Sequence, residues 1–230
     1  MIIEISMIDA IDTLARLEAS SEDYKILYQD DILLVVDKPA KLLTVPGRHP
    51  DNADCLISRV QQEFLTASIV HRLDYDTSGI VIIPLTKRAL SEISKQFQAR
   101  TVQKHYIAIV DGLVKANSQQ IDLALAADLA NRPCYKVCTT TGKASITELK
   151  VLSRDTVKQQ TRVQLTPITG RSHQLRVHMQ AIGHPIVGDT LYAPKNIAAA
   201  SSRLLLHATK IEFLHPLTAA VVSVTAAAAF

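Results

Sequence analysis

Nine residues, His71-Arg72-Leu73-Asp74-Tyr75-Asp76-Thr77-Ser78-Gly79, set an imidazole, a guanidinium, two carboxylates and two aliphatic hydroxyls between the apolar Ser68-Ile69-Val70 and the strand-like run from Gly79 to Leu85. Solubility alone would not place them there. A short loop between two buried segments can fix a carboxylate such as Asp74 in one pose, and a nearby arginine keeps it ionised at neutral pH. A carboxylate nucleophile has those requirements. The same residues also suit a structural turn, with Arg72 and Asp74 bracing it and Thr77 and Ser78 capping backbone groups. For an arbitrary loop of this composition the structural turn is the favoured reading.

Two further stretches carry polar groups in a pattern. In Gly170-Arg171-Ser172-His173-Gln174-Leu175-Arg176-Val177-His178, Ser172 is placed to cap a helix. His173, Arg176 and Gln180 would then form one ridge, three and four residues apart, with Leu175, Met179 and Ile182 toward the core. Lys104 to Val110 alternates as a strand that turns Tyr106 to the same side as Lys104.

These segments need positioning elements. Ile32 to Val36 reads as a buried strand stopped at Asp37-Lys38-Pro39. Asp51 or Asp54 is expected to cap a helix presenting Leu56, Ile57, Val60 and Phe64, and Thr86 one that buries Leu90, Ile93 and Phe97. Ser145 to Leu152 and Arg162 to Ile168 pair as strands across a polar hairpin, and Arg203 to His207 and Lys210 to Leu214 read as two more. Residues 1 to 23 are expected to form a short acidic helical extension ahead of a single domain, 24 to 230. Many short strands with few helices and no regular alternation indicate an α+β fold around a largely antiparallel sheet.

Composition narrows the function. The chain has 230 residues, enough for a sizeable core, with 47% hydrophobic and 20% charged residues, and no apolar run reaches the length of a membrane span. Three cysteines, Cys55, Cys134 and Cys138, make no disulfide framework and no zinc-like pair of ligand pairs, so free thiols in a cytoplasmic protein are expected. Net charge is only +3 but unevenly spread: residues 1 to 31 carry eight acids, whereas Thr156 to Gly188 has none beside Lys158, Arg162, Arg171 and Arg176. That stretch, and Lys87, Arg88, Lys95 and Arg100, would offer a positive surface. Motifs for ATP, NAD or catalytic zinc are missing, and neither cofactor nor metal is expected.

His71-Arg72-Leu73-Asp74 followed by Thr77-Ser78-Gly79 resembles the signature of pseudouridine synthases of the RluA class. From Ile26 onward other blocks stand in the class's order: Val36-Asp37-Lys38-Pro39-Ala40, Lys104-His105-Tyr106, Gly170 to His178, Gly183 to Asp189 and Leu205-Leu206-His207-Ala208. The resemblance implies the pseudouridine synthase fold with a central cleft and isomerisation of uridine in RNA. It implies that Asp74 is the catalytic carboxylate, that Arg176 pairs with it, and that Tyr106 stacks on the base and accepts the C5 proton. Arg72 would fill the space a flipped nucleotide leaves, and His71, Thr77, Arg171 and His173 would line the substrate site. The match is tightest to short members without an S4-like domain, bacterial enzymes that act on 23S rRNA and on tRNA anticodon stem-loops; a monomer with structured RNA as its partner is expected. Lys41 departs from the usual glycine after Pro-Ala, and the tail from Val224 to Phe230 lacks the usual proline and acid. Alternatives are an inactive RNA-binding or ribosome-assembly factor on the same fold, and a hydrolase with Asp74 and a histidine as acid-base pair.

Overall fold

The computed structural model describes residues 15–230. Strands β1 (Lys25–Gln29), β2 (Leu33–Lys38) and β3 (Ser78–Pro84) pair antiparallel, with β2 and β3 almost wholly buried. Successive residues of a strand point to opposite faces, and here both faces are covered. Leu34, Val36, Val81 and Ile83 pack with Leu56 and Val60 of helix α1 (Leu56–Val60), whereas Leu33, Val35, Ile80 and Ile82 pack with Ala89 and Ile93 of α2 (Lys87–Ala99). Such strands read as unbroken apolar runs rather than alternating ones.

The rest of the chain extends this sheet. It adds β4 (Gln103–Asp111), β5 (Ser118–Asp122), β8 (Ile146–Asp155), β9 (Gln160–Pro167), β10 (Leu206–Leu214) and β11 (Val221–Thr225). The strand order is β1-β2-β3-β10-β4-β9-β8-β5, with β11 against the outer half of β10. Among the described strands only β3 and β10 pair in parallel, at Ser78 and Gly79 with His207 and Ala208. A separate two-stranded sheet, β6 (Leu125–Ala127) with β7 (Tyr135–Val137), lies beside α3 (Gln174–Ala181), and a single turn, α4 (Lys195–Ala198), precedes β10. Leu175 and Met179 of α3 pack on Ala108, Val163 and Leu165, so the helix rests on β4 and β9. The result is an α+β fold with a mixed, mostly antiparallel sheet and few helices.

Several expectations need correction. Residues 1–14 of the proposed N-terminal helix lie outside the described residues, and 15–23 are not helical. They run as an extended strap: Leu17 N–H donates to Asn52 Oδ1, Ser20 N–H to Lys41 O, and Arg59 reaches the carbonyls of Ser20 and Glu22. The cap of α1 is Cys55, not Asp51 or Asp54; Ser58, three residues on, returns its hydroxyl to the Cys55 N–H at 2.9 Å. Asp54 is drawn instead to Arg59. Thr86 does cap α2, accepting from Ala89 N–H. The two strands expected over 203–214 are one, β10, starting at Leu206 and kinked by an irregularity between Ala208 and Lys210.

Candidate active site

The loop from Leu73 to Ser78 enters β3 and is braced at almost every residue. Thr44 Oγ1 donates to Leu73 O at 2.9 Å and accepts from Leu73 N–H. Tyr75 O accepts from Leu42 N–H and, at 3.4 Å, from the Lys38 ammonium, while the Tyr75 hydroxyl donates to Glu18 O in the strap. Thr77 N–H closes a turn on Asp74 O at 3.1 Å. Ser78 Oγ lies 2.8 Å from His207 Nδ1 and accepts from Arg203. Next comes Gly79 at φ +117°, where a Cβ would overlap the Ala208 backbone of the parallel strand. Glycine is required there by close backbone approach.

Asp74 projects from this loop into a cleft of about 540 Å³, within the roughly 300–1,000 Å³ common for ligand sites. One wall is the start of α3, whose N-cap is His173 in the left-handed region (φ 55°), with no side-chain cap; Ser172, the expected cap, is not used. Gln174 does that work by other means. Its Oε1 accepts from Thr169 Oγ1 and Arg171 N–H, and its Nε2 donates to Ile146 O and Thr147 Oγ1. All four hydrogen-bonding positions of a buried amide are satisfied, which fixes the turn that presents His173 and Arg176.

Arg176 is almost fully buried. Its fork is bidentate to Asp189, Nε to Oδ2 at 2.8 Å and Nη2 to Oδ1 at 2.6 Å, and its guanidinium lies 5.2 Å from the Tyr192 ring centroid. Asp74 Oδ2 is 4.0 Å from Nη1, and Asp76 Oδ2 is 3.8 Å from Nη2. The bidentate partner is thus Asp189 rather than Asp74. Arg176 faces Asp74 as a cation already locked by a separate counter-ion, leaving both Asp74 oxygens unclamped. On the other side, His173 Nε2 is 3.9 Å from Asp74 Oδ1. Tyr192 Oη accepts from Tyr135 N–H and lies 2.6 Å from His173 Nδ1, a hydrogen bond that ties the ring to the cleft wall. Burial lowers the His173 pKa, against the opposing pull of Asp74.

The other expected residues spread around the cleft. Tyr106 lines its floor between two core clusters; burial and the Asp74 charge raise its pKa, so the phenol is protonated. His71 is not free to move protons. Its Nε2 accepts from Ile82 N–H at 2.9 Å, its ring lies 4.7 Å from that of Phe97, and burial, aided by the charge of Lys104, pushes its pKa down to about 3. Thr77 is buried at the cleft, and its hydroxyl has no hydrogen-bond partner among the described residues. Arg72 and Arg171 are exposed at the rim. Among the described residues no cluster of three or more histidines, cysteines or carboxylates could hold a metal ion.

Three supporting residues were not singled out in the sequence. Asp189 is fully buried and also accepts from the N–H groups of Leu191 and Tyr192. Asp76 joins Asp74 and Asp189 around Arg176, and burial raises its pKa against that cation. Lys38 is fully buried, donating to Pro39 O, Leu42 O and Tyr75 O; burial pulls its pKa down to about 7 although Asp74 and Asp76 oppose the shift. Lys41, in place of the class's usual glycine, has φ 58°, the region that glycine favours.

The cleft thus brings together a braced carboxylate, an independently anchored arginine and a half-buried tyrosine. The model of the RNA pseudouridylate synthase family matches residues 32–181. The chain belongs to that family and is an isomerase. It is 52% identical over 191 residues to the "Dual-specificity RNA pseudouridine synthase RluA" of Yersinia pestis, covering 83% of this chain and 92% of the relative. It is 48% identical over 191 residues to the protein of that name from Escherichia coli K12, covering 83% and 87%. The solved structure "Human RNA Pseudouridylate Synthase Domain Containing 1" superposes with a TM-score of 0.77 at 29% identity, over 91% of this chain and 85% of that one.

Proposed function

We propose that this protein converts specific uridines of structured RNA to pseudouridine, with Asp74 as the catalytic carboxylate, Arg176 as its cationic partner and Tyr106 as the base platform. The observation that carries the reading is the pose of Asp74: a carboxylate on a loop braced at almost every residue, facing a cleft of nucleotide size, beside an arginine anchored elsewhere. Pre-positioning of this kind removes reorganisation from the reacting step.

The reaction breaks the N1–C1′ bond, turns the uracil and joins C5 to C1′; the proton on C5 is lost and N1 gains one. Asp74 promotes the cleavage. Tyr106, held neutral by burial and by the Asp74 charge, takes the C5 proton only as its own phenolic proton leaves, and N1 gains one proton in the overall balance. Reaching the uridine requires extruding it from its stack, which costs a few kcal/mol, and the exposed Arg72 at the rim is placed to fill the gap. Arg171, Thr77, His71 and His173 complete the lining.

The reading extends to the target. The likeness to relatives named dual-specificity supports action on two kinds of RNA, for which the motif resemblance implies 23S rRNA and the tRNA anticodon stem-loop. Release of tritium from C5-labelled uridine in each transcript tests this. Release from both is expected. Release from one would reduce the claim to a single target, and tight binding without release from either would replace it with a non-catalytic RNA-binding factor.

A further inference from the structure

We propose that Lys104 is a phosphate seat inside the cleft, binding one phosphodiester that flanks the flipped uridine and so setting which backbone segment enters with the base. The inference rests on the cleft being an RNA site and assigns this lysine a role in it.

The argument begins with the partners of cations. Among the described residues, the other lysines and arginines withdrawn from solvent each have an oxygen to bond. Lys38 has three carbonyls, Arg59 has Asp54, Arg162 the Phe230 carbonyl, Arg176 has Asp189, Arg203 the Ser78 hydroxyl and Lys210 has Glu212. Lys104 has none. It is half-buried in the cleft wall, its ammonium 5.9 Å from the Phe97 ring centroid and facing Gly170, whose absent Cβ would lie 3.9 Å away. Burial lowers its pKa, and no acid offsets the shift. A half-buried cation with no oxygen partner gives up part of its hydration, a cost that an arriving anion offsets.

Position specifies the anion. Lys104 and Tyr106 are two apart on β4 and share a face, about 7 Å from each other along the strand. With the base on Tyr106 and the ribose at Asp74, the next group along an RNA chain is a phosphodiester, the anion such a substrate necessarily brings. The exposed Arg72, Arg100 and Arg171 ring the mouth of the same cleft. They suit the outer backbone, whereas Lys104 lies where one phosphate must shed water to reach it. Charge-assisted bonds made in such places are the stronger ones.

The test uses stem-loop RNAs in which the phosphate 5′ or 3′ to the target uridine is replaced, one at a time, by an uncharged methylphosphonate. Binding is measured with the full-length wild type and with Lys104→Gln and Lys104→Arg. One of the two replacements is expected to weaken wild-type binding about tenfold. The same replacement should have no further effect on Lys104→Gln, while Lys104→Arg should keep the wild-type response. Lys104→Gln should also lower the salt dependence of log affinity by about 0.7. Wild-type indifference to both replacements would overturn the proposal whether or not the variants fold, and so would equal sensitivity of wild type and Lys104→Gln. Since these arms read binding alone, absence of pseudouridine with unmodified RNA would count against the catalytic reading and not against this one.

Discussion

Asp189→Asn separates the role of the arginine from that of its anchor. The substitution keeps the shape of a fully buried side chain that takes both arms of the Arg176 fork, at 2.6 and 2.8 Å, and two backbone N–H groups. An amide can leave its oxygen where Oδ1 serves Arg176 Nη2, Leu191 and Tyr192. Its NH2 then stands at Oδ2 against the Nε–H of Arg176, donor against donor. Breaking one side of a buried ion pair costs about 3–5 kcal/mol. Arg176 retains Asp74 at 4.0 Å and Asp76 at 3.8 Å, so the lower end applies. For 230 residues, about 3 kcal/mol corresponds to a fall in Tm of about 6–12 °C. The freed guanidinium should also close on Asp74 and tie up the carboxylate, slowing single-turnover pseudouridine formation at least about tenfold, or 1.4 kcal/mol. RNA affinity should stay within about twofold, since Asp189 and Arg176 are almost fully withdrawn from solvent. Thermal melts and single-turnover kinetics read both effects. A variant that melts with the wild type and turns over at its rate would refute the idea that Asp189 holds Arg176 for Asp74.

Two other outcomes follow from the same geometry. Burial pushes His71 down to about 3, below its unfolded value of about 6.5; its contribution to stability is therefore complete above pH ~6.5 and lost as pH falls toward 3, at up to about 1.4 kcal/mol per unit. Urea unfolding between pH 7.5 and 5 should show a smaller decline for His71→Gln than for wild type, and identical slopes would contradict the assignment. Gly79→Ala forces a side chain into a left-handed residue and onto the Ala208 backbone, so a loss of at least about 2 kcal/mol is expected in denaturant titration; a change under 0.5 kcal/mol would show that β3 and β10 can part there.

The parts of this architecture that local pattern determines were legible in the chain. The apolar runs became β2 and β3, Thr86 capped its helix, and strand alternation put Lys104 and Tyr106 on one face of β4. The loop carrying Asp74 stood out because its polar groups interrupt buried segments. What stayed hidden depends on partners distant in sequence or on backbone shape. Asp189 looks like an ordinary loop acid until folding brings it beneath Arg176, thirteen residues away. Lys38 reads as the polar end of a strand, and its burial follows from three carbonyls that only the folded loops supply. A left-handed His173 and a cysteine cap relieved by Ser58 lie outside the usual capping residues. The motif singled out Asp74, and the folded chain shows how the neighbouring arginine is kept from clamping it.

Single-turnover conversion by Asp74→Ala, followed with C5-tritiated RNA alongside a binding titration of the same RNA, tests the central claim most directly. The account predicts undetectable tritium release with affinity within about threefold of wild type, because removing a cleft carboxylate takes away chemistry and leaves the cationic rim and wall in place. Continued release at a measurable fraction of the wild-type rate would contradict it and assign the reaction to another group.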